Sequence, residues 1–317
     1  MERVSIIIPC KRIDELTKKC ISECLKLDYD NFEILVLPDY KNKEKFKSKK
    51  LRIIETGDKK PAFKRNFGML NAKGKYYAFI DSDAYPRRDW LKNAVKYFED
   101  EKIGLVGGSN LTPLDANIAE KISGYVLSNF FVSGRASIRY KIARNRCTKE
   151  LPSCNYIVRA ELSPKYIDGF LTAEDSKFCF DISDKRYKIF YANDVVVFHH
   201  RRDSIWKHLK QMFVYGRDIA WLTKREFSFD KLYYSIMGLF VVGFLAGLIL
   251  SLFFKIIGIL FFIFMIIYIL IMFVTSIKEN LKMSLAVFAI SIATHFAWGI
   301  GYIYGIFSKQ NIVQKSL

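Results

Sequence analysis

Three long apolar stretches near the end of the chain constrain its fold more than any other feature. They run over about Ser235–Phe254, Ile256–Thr275 and Leu285–Phe307. Each is close to the roughly 20 residues that a helix needs to cross about 30 Å of hydrocarbon. A globular core rarely holds three such helices in succession, so the sequence predicts a membrane domain with about three transmembrane helices. Lys255 is the only charge between the first two stretches, which indicates a tight helical hairpin.

The part of the chain before these stretches is strongly basic. Only five of the 50 basic and one of the 32 acidic residues lie from Tyr234 onward, which leaves a net charge of +14 for the preceding part. The first apolar run is too short for a signal peptide. A basic domain beside membrane helices tends to face the cytoplasm, so we expect a multi-pass protein of the cell membrane with a cytoplasmic first domain. Three crossings would put the C-terminus outside the cell. Lys309 and Lys315 argue against this, because basic residues favour the cytoplasmic side.

Several classes of partner and cofactor are not expected. The basic charge comes without a zinc finger, a helix-turn-helix or an RNP-like pattern, so nucleic acid is not an expected partner. Anionic lipid and phosphorylated substrates account better for this charge beside a membrane. A GxGxxG fingerprint and a P-loop are also missing, which disfavours dinucleotide and P-loop chemistry. The six cysteines lack a CxxC pair and are expected to be reduced thiols.

The basic part alternates short apolar runs with helical patterns. The predicted strands are Val4–Pro9, Phe32–Leu37, Leu51–Glu55 and Tyr76–Ile80, and the predicted helices are Leu16–Leu27 and Ala62–Ala72. This alternation indicates an α/β fold with a mostly parallel sheet covered by helices on both faces. Ligands of such sheets bind beyond the carboxyl ends of the strands. We therefore expect Pro9–Arg12, Asp39 and Asp81–Asp83 to lie on one rim.

The run Phe79-Ile80-Asp81-Ser82-Asp83 carries the sharpest chemical signal. Two carboxylates one residue apart, directly after an apolar strand, can together hold a hard divalent cation. Mg²⁺ and Mn²⁺ favour such oxygen ligands and bridge to substrate phosphates. A simple polar turn would use the same residue types.

Five motifs in order resemble the family 2 glycosyltransferases, which are inverting enzymes with a GT-A nucleotide-sugar fold. The motifs are VSIIIPCKR, EILVLPD, KRNFGMLNAKGKYYAFIDSDAYPRRDWL, GFLTAEDSKFCFDI and HLKQMFVYGRD, between about Val4 and Arg217. The resemblance implies a GT-A nucleotide-diphospho-sugar transferase domain followed by transmembrane helices. We expect a catalytic domain over 1–204, an amphipathic interfacial segment over 205–233 and a membrane domain over 234–317. Aromatic and basic residues mix in the middle segment, as is typical of a headgroup boundary.

The resemblance also implies a nucleotide-sugar donor, such as a UDP- or GDP-sugar, and a divalent cation. The implied donor-binding residues are Pro9, Lys11, Arg12, Asp39, Lys64, Arg65, Asn66, Asp81, Ser82, Gln211, Tyr215 and Arg217. Asp83 and Asp81 would hold Mg²⁺ or Mn²⁺, which neutralises the charge that builds on the diphosphate leaving group. His199 could be a third ligand, or could contact phosphate or solvent. Asn66 could instead cap the start of its helix.

The segment Ala173-Glu174-Asp175 matches the block that carries the catalytic base in the family. An inverting transfer needs a carboxylate that takes the proton of the attacking acceptor hydroxyl. The resemblance gives this role to Asp175, with Glu174 orienting the acceptor or the loop. The same two acids would also suit the first turn of a helix. Ser153, Cys154 and Asn155 form a small polar segment that fits an approach to the acceptor, and a generic turn explains it nearly as well.

These features together predict an inverting, metal-dependent glycosyltransferase with a membrane-associated acceptor, such as a polyprenyl-linked saccharide. Such a reaction would serve the assembly of a polysaccharide or glycoconjugate. A membrane anchor raises the local concentration of an acceptor that is confined to the bilayer. One alternative is a polyprenyl-phosphate sugar synthase, whose phosphate acceptor arrives ionised and has less need of Asp175. Another is a non-catalytic membrane scaffold.

Overall fold

The computed structural model describes residues 1–40, 46–167 and 169–310. The strands are β1 (Val4–Pro9), β2 (Phe32–Leu37), β3 (Leu51–Ile53), β4 (Tyr76–Phe79), β5 (Ala84–Pro86), β6 (Ile103–Gly107), β7 (Asn110–Leu111), β8 (Arg146–Thr148), β9 (Tyr156–Arg159), β10 (Lys188–Tyr191) and β11 (Val197–His199). The helices are α1 (Glu15–Leu25), α2 (Pro61–Asn71), α3 (Trp90–Val95), α4 (Ile118–Ser128), α5 (Phe130–Ser133), α6 (Glu174–Asp184), α7 (Ile205–Arg225), α8 (Ile236–Ser251), α9 (Lys255–Glu279) and α10 (Ser284–Phe307). The four strands and two helices expected in the first 80 residues are present, and their ends differ from expectation by no more than two residues.

Eight strands form one sheet in the order β3-β2-β1-β4-β9-β6-β10-β8. Parallel pairing joins β1 to β2 and β4, β2 to β3, and β6 to β10. The fully buried residues of β1 and β2 fit central strands that are covered on both faces. The expected mostly parallel α/β sheet is thus confirmed, with two antiparallel additions: β9 between β4 and β6, and β8 beside β10 at the edge. A second, three-stranded sheet has the order β5-β11-β7.

Among the residues that the structure describes, three helices are long and apolar enough to cross a membrane. They span Lys231–Ser251, Lys255–Glu279 and Ser284–Phe307, close to the three stretches expected from the sequence. Their surroundings differ. In the most apolar 18 residues of each helix, the share that is buried within the protein is 39% for the last helix, against 17% and 11% for the first two. The last helix, α10, is therefore covered by other parts of the chain much more than α8 and α9.

Helix α7 covers α10 over most of its length, and the two helices run in the same direction. His208 Nε2 lies 3.0 Å from the hydroxyl of Thr294 near one end, and the Trp221 indole donates to the Ser308 hydroxyl over 3.1 Å at the other. Between these points the backbones meet closely, because a Cβ at Gly216 would lie only 2.0 Å from the carbonyl oxygen of Trp298. A small-residue contact of this kind allows two helices to pack closely.

Helices α4 and α5 also connect the first domain to α9 and α10. The Ser128 hydroxyl donates to Glu279 over 2.5 Å, and the Asn129 amide donates to the Thr275 hydroxyl over 2.9 Å, so the last turns of α9 lie against this domain. The first turns of α10 pack there too, since Val287 is buried beside Ile122. The apolar helices α9 and α10 are thus joined to the sheet-containing domain through side-chain contacts as well as through the chain.

Candidate active site

Asp81, Asp83 and His199 form a cluster at the end of the large sheet. One ligand atom from each side chain lies within 4.8 Å of the others, and His199 Nε2 lies 3.2 Å from Asp83 Oδ1. The chain leaves β4 directly before Asp81 and turns into β5, where Ala84 pairs in register with His199 of β11. The small sheet therefore brings the histidine to the two acids, which are 116 or more residues away along the chain.

This cluster fits a divalent cation. Carboxylate oxygens suit Mg²⁺ and Mn²⁺, and an added imidazole nitrogen suits transition metals such as Mn²⁺. Burial alone would lower the pKa of His199, but the neighbouring Cys154 sulfur and Asp83 carboxylate raise the pKa to about 10. Burial alone would raise the pKa of Asp83, and His199 reverses this and holds the pKa below its ordinary value. The distances thus bring the expected metal-binding residues together as one group, and a bound cation would take the place of the proton on His199.

Arg65 on α2 links this cluster to the expected base segment. Its guanidinium lies 2.8 Å from Asp81 and 3.2 Å from Glu174, and the side chain is only 4% exposed. The neighbouring Lys64 is buried and donates to Asp39 and to the backbone carbonyl of Cys10. Lys64 and Arg65 thus form ion pairs with carboxylates of the chain itself. The resemblance had implied that both residues bind the donor.

Asn66 does not cap its helix. Because α2 begins at Pro61, Asn66 lies in the middle of the helix and the capping hypothesis is wrong. Its side-chain amide instead donates to the Tyr166 carbonyl and accepts from the Tyr166 backbone N–H, each over 2.8 Å. This pair fixes the chain that leads toward the base segment.

Glu174 and Asp175 form the first turn of α6, which confirms that they are helix-initiating acids. Asp175 accepts from the backbone N–H of Ser176 over 2.9 Å and of Ser153 over 3.4 Å. Burial and the adjacent Glu174 raise the pKa of Asp175 to about 7, against the opposing effect of Arg139. A carboxyl group that titrates near neutrality is suited to accept a proton from a substrate hydroxyl. The helix-initiating position and a base role are therefore compatible.

A second ion pair, partly buried, lies beside this acid and was not expected from the sequence. Arg139 lies 3.1 Å from Glu150, and Glu150 accepts from the Ser176 hydroxyl over 2.5 Å. Both residues come from polar stretches without a motif, so no spacing pattern could have paired them. Their charges act on Asp175 in opposite directions: Arg139 lowers its pKa and Glu150 raises it.

The three residues expected near an acceptor have different surroundings. Asn155 is fully buried, accepts from the Trp90 indole, and donates to the carbonyls of Ser109 and Val195, so its side chain is fully used within the fold. The Cys154 sulfur accepts from the Asn110 side-chain amide and lies beside His199. Ser153 contacts Asp175 through its backbone.

The remaining expected donor residues lie at the first strand and on α7. Pro9 ends β1 in a buried position, and the exposed Lys11 and Arg12 follow it. The Lys11 carbonyl accepts from the backbone of Asp39 over 3.0 Å, so these two rim segments meet as expected. Ser82 lies between the two acids of the cluster, half-buried.

Gln211, Tyr215 and Arg217 are half-buried on α7. Burial raises the pKa of Tyr215, and nearby Tyr140 and Asp175 add to the effect, so this ring lies close to the base segment. Arg217 lies 2.7 Å from Asp218 and 4.5 Å from the Trp221 ring centroid. It thus lies beside the loop before α6, which Asp218 binds.

Comparisons with known proteins agree with this architecture. Residues 5–149 match the family model described as glycosyl transferase family 2. Over 291 residues the chain is 26% identical to a dolichyl N-acetyl-alpha-D-glucosaminyl phosphate 3-beta-D-2,3-diacetamido-2,3-dideoxy-beta-D-glucuronosyltransferase of Methanococcus voltae, covering 83% of this chain and 84% of that protein.

A second relative is similar over a shorter region. The chain is 31% identical over 110 residues to a UDP-Glc:alpha-D-GlcNAc-diphosphoundecaprenol beta-1,3-glucosyltransferase of Escherichia coli, covering 32% of this chain and 44% of that protein. Among solved structures, a mannosyltransferase of Pyrobaculum calidifontis in complex with GDP-Man and Mn²⁺ superposes with a TM-score of 0.62 at 16% identity. That match covers 96% of this chain and 87% of the other, and it shows a common fold over nearly the whole length.

Proposed function

Because residues 5–149 match the model of glycosyl transferase family 2, we propose that the chain is a metal-dependent, inverting enzyme of this family, located in the membrane. It transfers a sugar from a nucleotide-diphosphate donor to a polyprenyl-linked acceptor. The observation that carries this proposal is the link through Arg65 between the Asp81–Asp83–His199 cluster and the Glu174–Asp175 segment. A cation site and a carboxylate base are the two elements that an inverting transfer needs on opposite sides of the reacting sugar carbon.

Different residues of the chain have different roles in this reaction. Asp81, Asp83 and His199 would hold Mg²⁺ or Mn²⁺, which supplies positive charge to the leaving diphosphate. Asp175, with its pKa near 7, accepts the proton of the acceptor hydroxyl at neutral pH. Glu174, fixed by Arg65, is available to orient the acceptor, because its second carboxylate oxygen is buried without a hydrogen-bond partner in the described chain.

The donor is a nucleotide sugar of the UDP or GDP type, bound at the rim of β1, β2 and β4. The ion pair of Asp39 with Lys64 and the bonds of Arg65 hold this rim rigid, which orients groups for the transition state before the donor arrives. The Pyrobaculum calidifontis mannosyltransferase binds GDP-Man with Mn²⁺ on the same fold, which supports a nucleotide sugar with a divalent cation here.

The acceptor is a lipid-linked sugar that reacts through a hydroxyl group. Two relatives act on lipid-linked sugars by name, one on a dolichyl-linked and one on an undecaprenyl-diphosphate-linked sugar. The near-neutral pKa of Asp175 favours a hydroxyl acceptor over the lipid phosphate acceptor of a polyprenyl-phosphate sugar synthase, which arrives ionised and needs no base.

The membrane arrangement that we propose differs from three crossings. Helices α8 and α9 form a hairpin that crosses the bilayer and returns, since Tyr234 before α8 and Glu279 at the end of α9 both contact the catalytic domain. Helix α10 lies along the membrane surface beneath α7. If α10 crossed the bilayer, the adjoining Lys207, Lys210 and Arg217 of α7 would enter it as well, at about 2.5–3.5 kcal/mol for each charge.

We accordingly keep the three regions 1–204, 205–233 and 234–317, with the catalytic domain in the cytoplasm. The interfacial region and α10 together form the layer between the catalytic domain and the hairpin. Exposed Trp206, Phe227 and Phe229, which are 76%, 63% and 81% exposed, are suited to the headgroup boundary.

The test is a transfer assay with the full-length chain in detergent or nanodiscs. Radiolabelled UDP- and GDP-sugars are offered with extracted polyprenyl-linked saccharides, and label in the lipid fraction is counted with Mn²⁺, with Mg²⁺ and with chelator. We expect transfer that requires a cation and falls to background in Asp83→Ala, but not in Asp203→Ala, which removes an exposed carboxylate. A non-catalytic scaffold is indicated instead if the wild-type chain transfers no sugar and binds neither UDP nor GDP in calorimetry with Mn²⁺.

A further inference from the structure

A basic cavity lies where the catalytic domain meets α7 and the end of α10. Its volume is about 290 Å³, and its walls include Lys60, Gly169, Arg217, Trp221, Tyr304 and Lys309. None of the three metal-cluster residues lines it. The volume is at the lower limit of ligand pockets, which span roughly 300–1,000 Å³. It therefore suits a headgroup better than a whole nucleotide sugar.

The charge of this cavity favours an anion. Arg217 is paired with Asp218, but Lys60 and Lys309 have no ion-pair partner in the described parts of the chain. Two ammonium groups without counter-charges in a partly enclosed space attract a phosphate more strongly than they would at an open surface. Gly169 has a φ of +105°, a conformation that residues with a Cβ rarely adopt, and it keeps a small backbone wall beside these cations.

The position of the cavity favours a lipid. Tyr304 belongs to the apolar helix α10, and Trp221 lies across from it, which is the residue pair expected at a headgroup boundary. Ile300, Tyr304 and Phe307 share one face of α10 and are 48%, 54% and 85% exposed. This exposed strip leads from the cavity along the helix and offers an apolar surface to an isoprenoid chain.

The cavity is also connected to the base segment. Asp218, fully buried beside Arg217, accepts from the backbone N–H of Leu171 over 2.7 Å and of Thr172 over 3.1 Å. Glu174 follows two residues after Thr172. An anion held by Arg217 thus lies one short loop away from the proposed base.

We propose that this cavity holds the phosphate of the polyprenyl-linked acceptor, with the lipid chain lying along the exposed face of α10. The inference rests on the proposed function, because it supplies the lipid-phosphate subsite of that reaction. It also takes Arg217 out of the donor site, in which the sequence motif had placed it. The phosphate would anchor the acceptor at the membrane surface while its sugar extends past Leu171 toward Asp175.

The experiment measures binding of a lipid phosphate to the full-length chain in detergent by native mass spectrometry. The probe is undecaprenyl phosphate, compared with undecaprenol, which lacks the phosphate, and with phosphatidylglycerol, a common anionic lipid. The variant is Lys60→Gln/Lys309→Gln, and its matched control is Lys207→Gln/Lys210→Gln, which removes the same charge from an exposed part of α7. No donor or cation is added to the lipid-binding samples, and nucleotide binding is measured in separate samples, so the lipid result is readable even if the chain transfers no sugar.

We expect the double variant to bind undecaprenyl phosphate about 100-fold more weakly than the wild type. This is about tenfold for each lysine removed, as for the loss of one charge-assisted hydrogen bond. The control should bind like wild type, and undecaprenol should not distinguish the proteins. Binding of GDP or UDP with Mn²⁺ should be equal in all three. The proposal is overturned by unchanged lipid binding in the variant, by equal competition from phosphatidylglycerol, or by an equal loss of nucleotide binding. That last result would assign the cavity to the donor.

Discussion

At the scale of single residues, the most important feature for the proposed reaction is the raised pKa of the Asp175 carboxyl group. Asp175 faces Glu174 on its own helix, Glu150 and Arg139 on neighbouring segments, and Arg65 on α2. Burial and the two acids favour its protonated form more than the two arginines oppose it. The result is a pKa of about 7, so that about half of the Asp175 carboxyl groups are deprotonated, and able to accept a proton, at pH 7.

We expect Asp175→Asn to lower kcat by about 10²–10⁴-fold, which is the usual contribution of a general base. In the wild type, kcat/KM should rise with pH up to about 7 and then level off, because the deprotonated form is the active one. The variant should lose this rise. The measurement is initial transfer rate from pH 5.5 to 8.5, with Asp181→Asn of the same helix as the control. Full activity in Asp175→Asn would point to a phosphate acceptor instead.

Arg65 is the second residue on which the site depends. It is buried between Asp81 and Glu174, and each of these acids would be left without its counter-charge if the arginine were removed. We expect Arg65→Gln to lower the free energy of unfolding by about 3–5 kcal/mol, the cost of breaking a buried ion pair from one side.

The measurement for Arg65→Gln is thermal unfolding in detergent, followed by nucleotide binding at a temperature where the variant is folded. Arg52→Gln is the control, since Arg52 pairs with Glu33 near the surface and is 39% exposed. If Arg65→Gln is as stable as the control, the buried bridge contributes little and the link between the two centres is not structural.

At the scale of helices and strands, the first 80 residues could be predicted and the middle of the chain could not. Residues Val4–Pro9 and Phe32–Leu37 carry unbroken apolar runs that leave little choice but buried parallel strands. The first three of the four residues of β9, Tyr156–Arg159, are also apolar, but nothing in so short a run fixes its antiparallel direction. His199 reaches Asp81 and Asp83 through the pairing of β11 with β5, two strands that lie more than 100 residues apart in the chain.

Glycines set the close contact between α7 and α10. Nothing in the sequence indicated which glycines would lie at this contact. We expect Gly216→Ala to lower the free energy of unfolding by about 1–3 kcal/mol, because its new methyl group would overlap the Trp298 carbonyl. Gly243→Ala is the matched control, since a Cβ there meets nothing within 4 Å. Thermal unfolding of both variants in the same detergent tests this. Equal stability of the two would show that α7 and α10 are not closely packed.

At the scale of the whole molecule, helix length alone was not enough to give the topology. Length and composition allow three crossings, and only the contacts of helix ends distinguish a crossing helix from one that lies on the surface. The start of α10 contacts the catalytic domain, where Val287 packs on Ile122, and its end contacts α7, where Ser308 accepts from Trp221. Lys224 also donates to the last carbonyls of α10, a favourable position for a cation.

This arrangement predicts that the C-terminus lies on the same side of the membrane as the catalytic domain, because a two-pass hairpin returns the chain to that side. A green fluorescent protein fused after Leu317 should fluoresce, and alkaline phosphatase fused there should be inactive. The same reporters inserted at Phe253, between α8 and α9, should give the opposite result and so mark the outer side. An active phosphatase at the C-terminus would require α10 to cross the bilayer. It would then also place Lys309 on the far side from Lys60, which their shared cavity does not allow.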